Sequence, residues 1–341
     1  ILYDTLINDY ATNDIVMIYH ADMYALPGLD EEIDKHIKPG VVVSATRIEP
    51  PLHPPGPEKI LADYGIEPEE FNEHQLLRDL DKLKHKYKTT EGIFAPWAIY
   101  KSDFQSIGGH DPLYAPQSKE DSDIFNRFQL AGYKFVQTWE GFVYHMTCRG
   151  SRFADGAKRN PDGEVFMKGR ETDEWMKQNI RSTRNFIRKW GHFVKHDKWL
   201  RPYVIPKYDI GLVIKNCDIE TLHQLEPWFS TIYVYGENLK YYFEKEQAET
   251  LFDLDERVKD IVKILNHKNI PEGVEHQKCY RPWGHYESLV KGKKWQVKLI
   301  NVKSGEKLSL QKHKYRTEHW VVVSGTAKVE IENEKLILSE N

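Results

Sequence analysis

Apolar positions follow two rhythms along the chain. Ile15-Val16-Met17-Ile18-Tyr19 and Val41-Val42-Val43 are unbroken apolar runs, the pattern of strands covered on both faces in a parallel-rich α/β sheet. The first run stops abruptly at His20-Ala21-Asp22-Met23, and Pro27-Gly28 precedes a helix-like stretch from Leu29 to Lys38. The second run continues to Glu49 and meets Pro50, Pro51, Pro54, Pro55 and Pro57, which forbid regular structure. From Glu67 to Lys88 the rhythm becomes helical, with Phe71, Leu76, Leu77, Leu80, Leu83 and Tyr87 on one face. Strand chemistry returns over Gly92 to Lys101, Tyr133 to Thr138 and Gly141 to Met146, the last carrying His145. Between these, Ile107-Gly108-Gly109-His110-Asp111 leads to Ser118-Lys119-Glu120-Asp121. Ser118 as N-cap with Asp121 three residues on predicts a capping-box-like start, and Gly132 a C-terminal stop.

Farther on, Arg181, Arg184, Arg188, Lys189, Lys195, Lys198 and Arg201 interleave with Phe186, Ile187, Trp190, Phe193 and Trp199. A basic, aromatic helix over 181–201 suits either packing on its own domain or peripheral contact with an anionic membrane. A strand from Ile210 to Ile214, a helix from Ile219 to Leu225 and a strand from Thr231 to Val234 form a βαβ-like unit, followed by a helix from Leu254 to Ile264. From Tyr280 the pattern changes to short alternating strands, including Trp295 to Val302, Leu308 to Gln311 and Trp320 to Val323. That is all-β spacing.

Composition narrows the classes. The 341 residues allow about two domains, and 40% hydrophobic with 29% charged residues is ordinary for a globular chain. A net charge of -4 leaves no nucleic-acid footprint, and no apolar run reaches a membrane-spanning length. Without a basic-then-apolar leader the expected compartment is the cytoplasm. Cys148, Cys217 and Cys279 fit neither a disulfide framework nor a zinc knuckle. The chain opens at Ile1 and stops at Asn341 within a strand-rich run, so both flanking domains are expected to continue beyond it.

Four places carry candidate chemistry. His20 and Asp22 are two positions apart on an extended segment and point the same way, as two ligands of one cation do. Glu120 and Asp121 open a helix, where the macrodipole favours an ionised carboxylate. Gln311 and His313 share a strand face, and Glu318 or His319 reaches back from the next strand; this set suits a borderline divalent metal. Arg149 and Arg152, in the basic loop after His145, suit either closing over a diphosphate or facing solvent.

Together, His20-Ala21-Asp22, the double-Gly turn, Glu120-Asp121 at a helix start and Gly132-Tyr133 before a strand resemble family 2 glycosyltransferases of the GT-A fold. That resemblance implies Asp22, with His20 at the usual first Asp and a late His145, as ligands of Mn²⁺ or Mg²⁺. It further implies a nucleotide-sugar donor, a glycan or lipid-linked acceptor, Asp121 as general base and Glu120 beside it in the acceptor pocket. Arg281-Pro282-Trp283-Gly284, the Leu-Ser-Leu-Gln-Lys-His run and Arg316-Thr317-Glu318-His319-Trp320 closely resemble the cupin of type II mannose-6-phosphate isomerases, which is often fused to mannose-1-phosphate guanylyltransferase. Gln311, His313 and Glu318, with His319 in reserve, are the Zn²⁺ or Mn²⁺ ligands this second resemblance implies.

The expected architecture is α/β: an incomplete, Rossmann-like GT-A domain over 1–200, an α/β connecting segment over 201–278 and an incomplete all-β cupin barrel over 279–341, whose open edge invites association with another chain. The expected function is glycosyl transfer in surface-polysaccharide or glycan synthesis, joined to a sugar-phosphate isomerase-like module. Two alternatives are an isomerase- or guanylyltransferase-related enzyme with a degenerate N-terminal half, and a non-enzymatic glycan-binding protein.

Overall fold

A computed structural model describes residues 2–86, 88–147, 152–153, 171–215, 217–235, 239–261, 264, 278–291, 295–308, 318–331 and 334–340. The chain divides into two compact units, Ile1–Ile261 and Val262–Asn341.

The first unit is built on a seven-stranded mixed sheet. Helix α1 (Leu2–Thr5) and a π turn lead into strand β1 (Ile15–Ile18), followed by β2 (Met23–Ala25), α2 (Leu29–His36), β3 (Val41–Glu49) and β4 (Lys59–Leu61). Next come α3 (Glu73–Leu83), β5 (Thr89–Thr90), β6 (Trp97–Tyr100), α4 (Lys101–Ser106), α5 (Glu120–Leu130) and β7 (Lys134–His145). The main order is β1-β6-β3-β7-β2, with β4 added to β3 and β5 to β7. Only β3 with β7 and β3 with β4 are parallel; β1 with β6, β3 with β6, β2 with β7 and β5 with β7 are antiparallel.

This corrects the expectation of a parallel-rich sheet centred on Ile15–Tyr19. β1 is an edge strand, and burial alternates along it: Val16 and Ile18 are buried, Ile15 and Met17 only partly. The strand covered on both faces is β3, buried at eight of nine positions. The two strands expected over Tyr133–Met146 are the single strand β7, which shifts register opposite Ala45 and Thr46. Trp97, Phe104, Phe125 and Phe128 meet the β3 valines in the main core.

Helix α6 (Asp173–Trp190) begins earlier than the basic stretch suggested and ends at Gly191, which adopts the left-handed conformation. Its Phe186, Ile187 and Trp190 are buried. Arg184 and Arg188 turn toward Glu226 and Glu246, so these cations face carboxylates of the same unit and the helix packs on its own domain. The next segment is a parallel sheet in the order β10-β9-β8. It comprises β8 (Gly211–Lys215), α7 (Ile219–Leu225), β9 (Thr231–Tyr235), α8 (Leu239–Glu246), α9 (Leu254–Arg257) and β10 (Val258–Asp260). The helix expected from Leu254 to Ile264 therefore lasts one turn: Val258 pairs with Ile232 and starts a strand, with its side chain buried.

In the second unit β11 (Lys278–Arg281), β12 (Gly284–Lys291) and β13 (Gln296–Val302) form an antiparallel sheet, and β14 (Thr326–Ile331) pairs with β15 (Glu334–Ser339). Gly284 is obligatory at the tight β11–β12 corner: its φ is +146°, and a Cβ there would lie 2.0 Å from the carbonyl oxygen of Asn301. Trp320–Val323 forms no strand. Among the described residues, no helix is long and apolar enough to cross a membrane.

Candidate active site

Strand pairing explains how residues 123 positions apart meet. β2 runs antiparallel to β7 with Met23 opposite His145, and the Met146 amide donates to the Asp22 carbonyl at 3.0 Å. Asp22 and His145 are thereby held side by side, with Nε2 of His145 3.4 Å from Oδ2 of Asp22. His20, on the turn between β1 and β2, brings its ring to 6.3 Å from that of His145. One potential ligand atom from each of His20, Asp22 and His145 lies within 4.8 Å of the others. Two imidazoles and a carboxylate suit borderline ions such as Zn²⁺ or Fe²⁺ best, are accepted by Mn²⁺, and fit Mg²⁺, which favours an all-oxygen shell, least well.

A residue outside the sequence motifs supports this group. Nδ1 of His145 hydrogen-bonds Oε1 of Glu49 at 2.8 Å, which leaves Nε2 facing Asp22. Glu49 is buried at the end of β3, where Lys59 reaches it at 2.9 Å and Arg47 at 3.3 Å. Such a carboxylate fixes the orientation of a ligating histidine. Its sequence signal is a lone acid closing β3 just before Pro50-Pro51.

Charges follow this geometry. Burial by itself would raise the Asp22 carboxyl, but the hydrogen bond and charge of His145 hold it below the ordinary range. Burial likewise opposes His145, yet Asp22 and Glu49 raise it. His20 is lowered by burial and by the neighbouring His145. For Glu49, burial is outweighed by His145, Arg47 and Lys59, and its carboxyl is strongly lowered.

His20 and His145 open onto a cavity of about 290 Å³ that is also lined by Asp121, Ser122, Phe125 and Asn126 of α5. Arg47, Phe94 and a strap carrying Val194, Lys195, His196, Leu200 and Pro202 complete much of its wall. The basic helix expected over 181–201 covered part of this strap, but the helix ends at Trp190 and residues 194–202 are not helical. Asp121 lines the cavity, whereas Glu120 is not among its lining residues.

Two expectations about this helix start are corrected. Ser118 is not the N-cap: Lys119 occupies that place, left-handed and without a side-chain cap. The Ser118 hydroxyl instead donates to Oδ1 of Asn179 at 2.9 Å, and the Lys119 ammonium reaches the same oxygen at 2.8 Å. Ser118 and Lys119 have φ of 79° and 75°, a conformation that costs a non-glycine residue roughly 1–2 kcal/mol. Nor does the helix dipole set the carboxyl pKa values. Burial raises Asp121 to about 6, while burial and then the charge of Asp121 raise Glu120 to about 7. Desolvation outweighs the dipole here.

The double-Gly turn is tied down by the first helix. The Asp4 carboxylate accepts from the His110 amide at 2.7 Å and lies 3.0 Å from His110 Nδ1. A Cβ on Gly109, whose φ is +63°, would come within 2.1 Å of that carboxylate.

Arg152 pairs with Glu171 at 2.9 Å and stacks over Trp175. Its charge is nevertheless felt at Lys119 and His53. Arg149 lies outside the described residues, as do Gln311 and His313. In the second unit Glu318 and His319 are exposed, and the Trp320 indole donates to Glu318 at 3.1 Å.

Comparison with known proteins gives a C-terminal likeness. Residues 268–341 match the family described as mannose-6-phosphate isomerase C-terminal. A mannose-1-phosphate guanylyltransferase of Salmonella montevideo is 49% identical over 84 residues, 25% of this chain and 18% of that protein. The xanthan biosynthesis protein XanB of Xanthomonas campestris pv. campestris is 48% identical over 89 residues, 26% of this chain and 19% of that protein. The alginate biosynthesis protein AlgA of Pseudomonas aeruginosa is 49% identical over 84 residues, with 25% and 18% covered. The chain thus spans about a fifth of the length of these relatives. A crystal structure of GalNAc-T7 with UDP, GalNAc and Mn²⁺ aligns over 79% of this chain and 43% of its own, with 10% identity and a TM-score of 0.29. That score is too low for any conclusion about fold.

Proposed function

We propose that the first unit is a divalent-metal-dependent glycosyltransferase of GT-A type acting on a nucleotide-sugar donor. One observation carries this reading: His20, Asp22 and His145 converge beside a cavity that Asp121 also lines. His20, Asp22 and His145 are the residues that would hold Mn²⁺, with Mg²⁺ the poorer fit to two imidazoles. When bound, such an ion supplies positive charge that offsets the departing diphosphate. Arg149 and Arg152 are proposed to add cationic contacts to that diphosphate.

Asp121 has the role of base. Its carboxylate accepts the proton of the acceptor hydroxyl as that oxygen bonds to the sugar C1, while the bond from C1 to the diphosphate oxygen breaks. A carboxyl raised to about 6 is still mostly ionised at pH 7 and is more basic than an ordinary aspartate. Glu120, which does not line the cavity, is proposed to act on the acceptor side only as the neighbour of Asp121.

For the second unit the likeness over residues 268–341 supports a sugar-phosphate isomerase-type cupin, with Gln311, His313, Glu318 and His319 as its proposed ligand set. The names of the relatives favour mannose-derived donors and polysaccharide biosynthesis, as of xanthan and alginate, as context. They also support the second reading, an enzyme related to nucleotide-sugar synthesis whose first unit serves as scaffold. In the domain division proposed, residues 1–200 carry transfer, 201–278 connect and 279–341 form the cupin segment.

The test uses the full chain with Mn²⁺ and a panel of UDP- and GDP-sugars, following nucleoside diphosphate release and Mn²⁺ binding by calorimetry. Release that is lost with chelator, together with an Asp22→Ala variant weakened at least ~10²-fold in both measurements, is the expected result. Mn²⁺ binding unchanged in Asp22→Ala would overturn the metal assignment. Chelator-insensitive sugar binding without release would favour a glycan-binding protein.

A further inference from the structure

The left-handed pair Ser118-Lys119 is followed at once by Glu120 and Asp121, and its backbone geometry sets where α5 begins. Neither residue is a glycine, so the conformation persists only where its surroundings hold it. What holds it is a polar ridge on α6. Oδ1 of Asn179 accepts from both the Ser118 hydroxyl and the Lys119 ammonium. Just before the strained pair, Gln178 Nε2 donates to the Gln117 carbonyl at 2.9 Å, and the Ser182 hydroxyl donates to the same carbonyl at 3.2 Å. Positions 178, 179 and 182 fall on one side of a helix. The helix is itself anchored, with Thr172 capping its start by accepting from the Trp175 amide at 3.2 Å.

We infer that Asn179 is a positioning residue: it holds Ser118 and Lys119 in their left-handed conformation and so aims the Asp121 carboxylate into the cavity shared with His20 and His145. This inference rests on the reading of Asp121 as the base. Asn179 does not line the cavity and touches no reacting group. Its loss acts through backbone geometry, which lowers turnover more than donor affinity.

The experiment is a mutant cycle between Asn179→Ala and the double variant Ser118→Gly with Lys119→Gly. Glycine adopts the left-handed conformation without steric cost, and this pair also removes both groups that bond to Asn179. In the original background Asn179→Ala is expected to lower kcat about tenfold or more while the donor KM moves less than about twofold; in the glycine background the same change costs less than about twofold. Asn179→Asp keeps an acceptor oxygen for both donors and should retain near-original kcat, which separates lost positioning from lost folding. Backbone ¹³C shifts of selectively labelled Ser118 and Lys119 give a readout independent of catalysis, moving away from left-handed values in Asn179→Ala. If the original chain transfers no sugar, the functional reading fails while the shifts still decide whether Asn179 holds the turn. Unchanged shifts, or an equal kcat loss in both backgrounds, would overturn the inference.

Discussion

Two buried charge clusters in the first unit contrast in the way their charges are matched. Around Glu226, in the turn between α7 and β9, Arg188 donates to Glu226 at 2.6 Å, Arg257 reaches it from α9, and Arg184 pairs with Glu246 at 2.6 Å. Tyr242 adds a hydrogen bond to Glu226 at 3.3 Å. Arg188 and Glu226 are fully buried, their charges matched within the protein. Around His145, by contrast, the cluster has one balanced end and one end facing the cavity. Glu49 is matched by Lys59 and Arg47, but His20 and His145 line the cavity that Asp121 also lines. Burial of charge therefore does not separate a structural cluster from a site. Donor atoms converging at a cavity wall do.

The largest expected effect breaks the matched cluster. Glu226→Ala leaves the buried Arg257 guanidinium without a carboxylate and Arg188 with only Glu246 and Asn185, and losing one partner of a buried pair destabilises by about 3–5 kcal/mol. At ~2–4 °C per kcal/mol for a unit of this size, the thermal midpoint falls by roughly 6–20 °C. Mn²⁺ titration well below that midpoint should give the original affinity. A weakened metal site with an unchanged melt would mean that the two clusters have been assigned the wrong roles.

What the sequence disclosed and what it hid follow the same division. The places of His20, Asp22 and Asp121 at a strand end or a helix start were legible in short-range patterns, whereas that His145 should join His20 and Asp22 was expected only from the family resemblance. The β8-α7-β9 unit was legible because its apolar runs and connecting helix are local. Sheet direction was not: β1 pairs with β6, whose nearest register partner, Trp97 opposite Ile18, is 79 positions away, and no local pattern reports such a partner. Glu49 was hidden for a related reason, since its histidine is 96 positions distant. The misread cap at Ser118 had a different origin. A capping Ser118 oxygen would accept from a backbone amide two or three residues on; instead its hydroxyl donates to Oδ1 of Asn179, 61 positions away, and the turn it adopts leaves the cap place to Lys119. Val258 was assigned to a helix because the preceding Leu254–Arg257 turn is one, whereas pairing with β9 decides its conformation.

The next effect sharpens the open end of the site. Asp121→Asn preserves shape but removes the proton acceptor, so kcat should fall by ~10² or more with Mn²⁺ binding retained. In the original protein kcat/KM should rise with pH along a limb between about 6 and 7, since Asp121 and Glu120 are raised to about 6 and about 7 and titrate as a pair. The stability sign is opposite. A carboxyl raised by folding binds its proton more tightly in the native state, so its contribution is full below the unfolded value near pH 4 and is lost as pH rises through 6 to 7. Asp121→Asn removes that penalty and should melt at a higher temperature than the original protein at pH 8, but not at pH 4. Unchanged turnover would leave Asp121 only a structural place at the helix start, and a lower melt at pH 8 would contradict the burial argument.

The smallest expected effect probes the boundary between matched and open charge. Glu49→Gln keeps an oxygen that can accept from Nδ1 of His145 but removes the negative charge that favours and orients the ring. Loss of such a supporting carboxylate typically weakens metal affinity by ~10–100-fold. The substitution also deprives Lys59 and Arg47 of a partner, so some loss of stability accompanies it. A control is needed because any lost negative charge near a cation site weakens binding. Glu58 supplies it: its carboxylate lies 3.7 Å from Arg47, so Glu58→Gln alters charge in the same neighbourhood. The hydrogen bond from His145 to Glu49 is left intact by that change. If Glu49 acts by orienting His145, Mn²⁺ titration should show a markedly greater loss for Glu49→Gln than for Glu58→Gln. Equal losses would reduce Glu49 to one more charge in a balanced cluster, and the distinction between the two clusters would then rest on His20, Asp22 and His145 alone.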